Sequence, residues 1–361
     1  IINQRDKTNI VFHSKLPGFL APGVFKDPVA RDPQKRYKML FSCSPDGTAK
    51  TWMTSVGFSP DGIHWTAAKP LPLIPFSDTQ ICPFWDHRSR RYIAILRFGP
   101  QNTRLVSRTE SEDFLNWSPK VTVFRQTRRD AVQATQFYQM APMPYANGYI
   151  GLIGAYHNES LKPIPADKPW TDRQDLQLAY SRDSVTWFRV GGSGAVSNAS
   201  LNRKQDWSRQ AKAATFLPYG KMNKDWDWGY ITPYYTPEPI IVNDQIHFFY
   251  SGSNAKHWWT WTGDPPKLDP DAKPPRKGVG LATLRRDGFV SLSGKGAVTT
   301  KAFALQASRL RINAVGRVSV TVLDINGEAL DERKSVAGDN CDHLVELSGE
   351  LVGRQVKLLF E

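Results

Sequence analysis

Three copies of Ser-x-Asp-x-x-x-Trp constrain this chain more than any other feature: Ser59-Pro60-Asp61-Gly62-Ile63-His64-Trp65, Ser111-Glu112-Asp113-Phe114-Leu115-Asn116-Trp117 and Ser181-Arg182-Asp183-Ser184-Val185-Thr186-Trp187. Each closes a unit with one grammar. A short apolar segment runs to an acid or a proline, a loop follows, and a second apolar segment reads as a buried strand. In the first unit these segments are Gly23-Val24-Phe25-Lys26-Asp27-Pro28 and Arg36-Tyr37-Lys38-Met39-Leu40-Phe41. In the second they are Ile81-Cys82-Pro83-Phe84-Trp85-Asp86 and Arg91-Tyr92-Ile93-Ala94-Ile95-Leu96, and in the third Tyr138-Gln139-Met140-Ala141-Pro142 and Tyr149-Ile150-Gly151-Leu152-Ile153. A fourth copy has Pro237-Glu238-Pro239-Ile240-Ile241-Val242 and Ile246-His247-Phe248-Phe249-Tyr250, and ends on Arg285-Arg286-Asp287-Gly288-Phe289 without the tryptophan. Repeats of roughly fifty residues, each a small sheet unable to bury both faces alone, predict a β-propeller.

The motif itself marks the fold. Asp61, Asp113 and Asp183 are expected to accept backbone amides in their turns, while Trp65, Trp117 and Trp187 pack between sheets. The start at Ile1 has neither a methionine nor a charged-then-apolar leader, so a signal peptide, if one exists, is expected to be removed or not included. Asn9-Ile10-Val11-Phe12 reads as the tail of an earlier blade. The expected architecture is therefore all-β: a five-bladed propeller over 1–292, either lacking its N-terminal blade in this chain or building one blade from poorly matching segments. From Ser293 the texture changes. Arg309-Leu310-Arg311-Ile312-Asn313-Ala314 and Val318-Ser319-Val320-Thr321-Val322 alternate, and Asn326-Gly327 supplies a turn, so 293–361 reads as a small antiparallel sandwich. Two irregular stretches, from Gly191 to Lys224 and from His257 to Pro275, interrupt the pattern; the first is too long for a hairpin loop, and such loops are expected to be functional lids or mobile insertions.

Composition adds bounds. The 12 Trp, 12 Tyr and 18 Phe suit both blade packing and a sugar-binding cleft, and 26 Gly with 26 Pro fit many turns and few helices. No apolar run is long enough to span a bilayer, so no membrane partner is expected. The formal charge of +13 fits a solvated basic surface or an acidic partner. Nucleic acid is not that partner, because the Lys and Arg are scattered and no recognition helix is visible; a carboxylated or sulfated glycan is compatible. Cys43, Cys82 and Cys341 stand in no metal-binding spacing, and neither a metal nor another cofactor is expected.

In a propeller the first strand of each blade lines the central funnel. Asp27, Asp78 in Ser77-Asp78-Thr79-Gln80, and Glu238 fall near such strands. Two carboxylates from different blades facing one funnel are what glycoside hydrolysis needs: one protonates the leaving oxygen and the other attacks carbon or activates water. Acids at strand ends equally satisfy turn amides. Arg97, His257, Trp228 and Trp258 are the expected substrate-binding side chains, with aromatic faces stacking on sugar rings and arginine pairing with hydroxyls or an anionic substituent. Each also fits a structural role, the tryptophans as core plugs, Arg97 as a strand partner and His257 as a loop residue.

These residues resemble a family. Phe25-Lys26-Asp27-Pro28 with Tyr37-Lys38-Met39 is similar to the Arg-Asp-Pro segment of the five-bladed glycoside hydrolases of families 32, 43 and 68. Asp78-Thr79-Gln80, Phe84-Trp85-Asp86, Leu176-Gln177-Leu178-Ala179-Tyr180-Ser181-Arg182-Asp183 and Gly278-Val279-Gly280-Leu281-Ala282-Thr283-Leu284 running on to Phe289 resemble bacterial family-32-like propellers. The closing motifs are similar to sialidase Asp-boxes but one residue shorter. The family-32 resemblance implies a transition-state-stabilising role for Asp27, a nucleophile on a preceding blade, and a secreted or periplasmic bacterial protein. Where that family carries its acid in Glu-Cys-Pro, this chain has Ile81-Cys82-Pro83, so a proton donor would come from Asp78 or Glu238. Three functions follow: an exo-acting glycoside hydrolase on a plant or algal glycan, a carbohydrate-binding propeller without catalysis, or a protein-interaction scaffold.

Overall fold

The computed structural model describes residues 19–44, 46, 48, 51–71, 77–98, 104–126, 130, 135–157, 173–190, 215–221, 224–257 and 276–361. Trp258, the segment 9–12 and most of the two long insertions lie outside them. The chain is all-β and divides into two compact units, Ile1–Ile240 with Phe248–Ala282, and Ile241–His247 with Thr283–Glu361. Among the described residues no helix is long and apolar enough to cross a membrane.

The first unit is built from antiparallel sheets that follow the sequence copies. Strands β1 (Phe19–Lys26), β2 (Tyr37–Cys43), β3 (Met53–Ser59) and β4 (Thr66–Leu71) pair in chain order. So do β5 (Cys82–Asp86), β6 (Arg91–Arg97), β7 (Val106–Ser111) and β8 (Val121–Phe124). The third sheet has β9 (Thr135–Tyr145), β10 (Gly148–His157), β11 (Arg173–Ser181) and β12 (Trp187–Arg189), with β13 (Thr215–Leu217) also on β11. The strands are short because each apolar run is only long enough to be buried on both faces: Met39 to Cys43 and Tyr92 to Leu96 are buried without a break. Face-to-face packing of successive sheets supplies that burial. Phe25, Leu40 and Val56 of the first sheet share one apolar cluster with Ile81, Tyr92, Ala94, Leu96, Phe114 and Trp117 of the second. First strands lie beside first strands, β1 against β5 and β5 against β9, which is blade packing. Gly23 makes the first approach possible, since a Cβ there would drive into the Ile81 carbonyl.

The fourth sheet departs from its sequence copy. Its first strand is β14 (Tyr230–Pro233), paired through Tyr230↔Ser253 and Pro233↔Tyr250 with β16 (Gln245–Ser253). The expected first strand survives only as β15 (Ile240–Val242), and β17 (Lys277–Arg285) completes the sheet. Pro237 and Pro239 explain the interruption: each removes an N–H that a continuous strand would need.

The closing motifs form one repeated turn. Asp61 Oδ1 accepts from the amides of Ile63 and His64, both at 2.8 Å. Asp113 Oδ1 accepts from Leu115 at 2.8 Å and Asn116 at 2.7 Å, and Asp183 Oδ1 from Val185 at 2.9 Å and Thr186 at 2.6 Å. The tryptophan Nε1 donates to the carbonyl three residues back each time, from Trp65 to Gly62, Trp117 to Phe114 and Trp187 to Ser184. That middle residue is left-handed in all three, with φ of 81°, 69° and 59°.

The second unit holds β18 (Val298–Thr299), β19 (Phe303–Ala304), β20 (Arg309–Leu323), β21 (Lys334–Glu346) and β22 (Gln355–Phe360) in one five-stranded antiparallel sheet. Leu305, Val320, Val322, Val345, Leu347, Leu351, Val356 and Leu358 form its own core. Asn326-Gly327 lies in a turn organised by Asp324 Oδ1, which accepts from the Asn326, Gly327 and Glu328 amides.

Candidate functional site

The first strands give the propeller unit two ends. Ile81 N donates to Ala21 O at 3.3 Å and Gln80 Nε2 to Pro22 O at 2.9 Å, so Asp78, before β5, lies at the strand-start end. Asp27, after β1, lies at the opposite, hairpin end. Ser77 is bonded to Ser42 and Asp27 to Arg36, so about six residue steps along β2 at ~3.3 Å each separate the two levels, roughly 20 Å. Carboxylates that cooperate on one glycosidic bond stand roughly 5–10 Å apart. The structure therefore does not bring Asp27 and Asp78 together, contrary to the expectation of one shared funnel face.

Asp27 is instead a latch between sheets. It is buried, its Oδ2 meets Lys38 Nζ at 2.5 Å and accepts from the Tyr92 hydroxyl of the second sheet at 2.8 Å, and its Oδ1 accepts from Val29 N at 3.0 Å. Burial and the Asp27 carboxylate push the Tyr92 phenol far above its ordinary pKa. Asp86 repeats the device one sheet on: it ends β5 and accepts from the Tyr149 hydroxyl of the third sheet at 2.5 Å. Recurrence at equivalent positions points to a structural role, because a catalytic acid has no reason to recur in each blade.

Asp78, Arg97 and His257 do come together. Half-exposed Asp78 is ion-paired to Arg97 at the end of β6, and the Arg97 guanidinium lies 4.6 Å from the centre of the Tyr138 ring. Arg104 approaches the same ring at 5.5 Å and the Tyr156 ring at 5.0 Å, and its Nη1 donates to Gln136 Oε1 at 2.5 Å. The Tyr138 hydroxyl is 2.8 Å from His257 Nε2. The His257 ring packs edge-on against Tyr138, Tyr156 and Tyr230, at centroid separations of 4.7, 5.2 and 5.6 Å. Burial, reinforced by Arg104, Arg97 and Lys277, pulls His257 down to about 3, so the imidazole is neutral at ordinary pH. Burial also lowers Arg97 to about 10, which leaves it charged.

Trp228 lies at the same end, buried beside β14, with the Arg173 guanidinium 5.9 Å from its ring and 4.0 Å from that of Tyr219. Glu238 is exposed and follows β14 instead of opening it; its charge reaches Tyr235, whose phenol is raised chiefly by burial and then by Cys82 and Glu238. Among the described residues no hydrogen bond or ion pair joins Glu238 to Asp78. Glutamines tie the strand starts together: Gln80 Oε1 accepts from Tyr235 N at 2.9 Å, Gln139 Nε2 donates to Pro233 O at 2.6 Å, and Gln174 Nε2 to Ile231 O at 2.8 Å. Among the described residues no group of three or more His, Cys, Asp or Glu could hold a metal ion. The three cysteines are free and buried.

Sequence reasoning missed Arg104, Tyr138, Tyr156 and Arg173. Their signal is weak but present, since Gln136, Gln139, Arg173 and Gln174 are polar residues inside otherwise apolar strands.

No protein-family model matches the chain, and no curated protein does. Solved structures do. A glycosyl hydrolase from Bacteroides ovatus aligns over 75% of this chain and 68% of its own, at 10% identity and a TM-score of 0.46. A β-1,2-mannobiose phosphorylase from Listeria innocua, in complex with β-1,2-mannobiose, aligns over 77% and 75% at 14% identity and 0.42. A fructofuranosidase from Schwanniomyces occidentalis complexed with fructosylnystose aligns over 86% and 57% at 11% identity and 0.38. At such scores the likeness transfers no residue role.

Proposed function

We propose that this chain is a glycoside hydrolase whose site is the strand-start end of the propeller unit. The observation that carries the reading is the grouping of Asp78, Arg97, Tyr138 and His257: a half-exposed carboxylate paired to a partly buried arginine beside aromatic rings, drawn from separate sheets. Tyr138, Tyr156 and Trp228 offer ring faces to a sugar, and Arg97 donates to its oxygens. Asp78 is the acid–base candidate, and its ion pair with Arg97 orients it. The remaining parts of the proposal come from the family-32-like resemblance: a five-bladed ring, exo-action on a plant or algal poly- or oligosaccharide, and a secreted or periplasmic location in a bacterium.

The test is release of reducing ends from a panel of plant and algal glycans. Asp78→Asn is expected to lower turnover by about 10²- to 10⁴-fold with an unchanged melting temperature; full turnover in that variant would remove Asp78 from the mechanism. A carbohydrate-binding propeller without catalysis is the second reading, favoured by Ile81 where the family has its glutamate and by the commitment of Asp27 to Lys38 and Tyr92. Binding to a glycan with no release of reducing ends would select it.

A further inference from the structure

Arg97 and Arg104 crowd onto one aromatic ring, and the cluster does not balance their charge. Of the two, Arg97 alone pairs with a described carboxylate, that of Asp78. Each also keeps a buried nitrogen with no hydrogen-bond partner among the described residues, Nη1 of Arg97 and Nε of Arg104. Nearby in the third sheet, Arg173 is 7% exposed, stacks on Tyr219 and Trp228, and leaves both Nε and Nη1 without an acceptor among the described residues. The neutral His257 imidazole adds no negative charge. A buried N–H donor without an acceptor is destabilising, more so on a charged group. Several together at one end of the sheets therefore point to an acceptor that arrives with the ligand.

We infer that the strand-start end binds an oxyanion carried by the glycan, a carboxylate or a sulfate ester, held between Arg97 and Arg104 over the Tyr138 ring. Guanidinium groups suit this task, because their planar N–H forks match the oxygens of carboxylate and sulfate. The ring beneath fixes both arginines without supplying a competing anion. The identity of the carrier rests on the glycan reading above; the anion site itself does not, since free phosphate or sulfate presents the same oxygens.

The test uses the full chain and pairs of oligosaccharides that differ only in charge, uronides against their carboxyl-reduced forms and sulfated sugars against desulfated ones, titrated by calorimetry at constant ionic strength. The charged member is expected to bind at least about tenfold more tightly, with that preference falling to about twofold or less in Arg97→Gln and Arg104→Gln. Sodium phosphate and sodium sulfate form a second arm. If either raises the melting temperature of the wild type but not of Arg104→Gln, while neither member of any sugar pair binds, the anion site stands and the glycan reading falls. Equal affinity within every sugar pair, with no stabilisation by either salt, overturns the inference even where neutral glycans bind. Should the arginine variants fail to fold, the paired affinities and the salt series on the wild type still decide.

Discussion

At the hairpin end of the first strands, Asp27 is surrounded by Lys38, Tyr92 and the Val29 amide, and Asp86 is held by Tyr149, Ser89 and the Arg88 amide. At the strand-start end, Arg173 is buried and Arg97 and Arg104 are partly buried among rings, and among the described residues Asp78 is the one carboxylate paired to any of the three. Among the described residues the same sheets thus carry one end where the acids are fully held and one where arginine nitrogens lack an acceptor. The first arrangement fixes how sheets meet. The second leaves stability unclaimed, as binding sites do when their donors await a ligand.

The comparison can be broken most sharply at Asp27. Asp27→Asn strands Lys38 in the core, and a loss of about 3–5 kcal/mol is expected by chemical denaturation. Glycan affinity per folded molecule should not change, and a variant that melts normally but loses binding would reverse the roles assigned to the two ends.

An intermediate effect is expected from pH. The folded-state pKa of His257 is about 3, against 6.5 for an ordinary histidine. Below pH 6.5 the unfolded chain takes up a proton that the folded chain refuses, so stability should fall as pH drops from about 6.5 towards 3. His257→Gln should flatten that part of the stability–pH curve, and an unaltered slope would place the titrating group elsewhere.

The smallest effect sharpens the contrast. Replacing a buried cation that pairs with no described carboxylate should cost little, so Arg173→Met is expected to leave stability unchanged or raise it by about 1 kcal/mol without ligand. A fall of roughly 2 kcal/mol or more would show that the strand-start end is as saturated as the other.

The blades were legible in the sequence because burial on both faces leaves unbroken apolar runs, and because the Ser-x-Asp-x-x-x-Trp turn needs fixed residue types at fixed offsets. The role of Asp27 was not legible, because its partner Tyr92 is 65 positions away and nothing local says which end of a strand faces a ligand. The strand Tyr230–Pro233 escaped notice for a different reason, being four residues long and followed by a proline-broken segment. Arg97, Asp78 and His257 were found as separate candidates, whereas the ring that joins two of them, Tyr138, looked like one more core aromatic.

In the pairs Asp27 with Tyr92 and Asp86 with Tyr149, acid and hydroxyl belong to neighbouring leaves. Neither pair can therefore form within one leaf, and a leaf cut out alone would lose the hydroxyl that its acid accepts from or leave a phenol without its acceptor. Assembly is accordingly expected to be collective, each leaf becoming stable only as the next arrives.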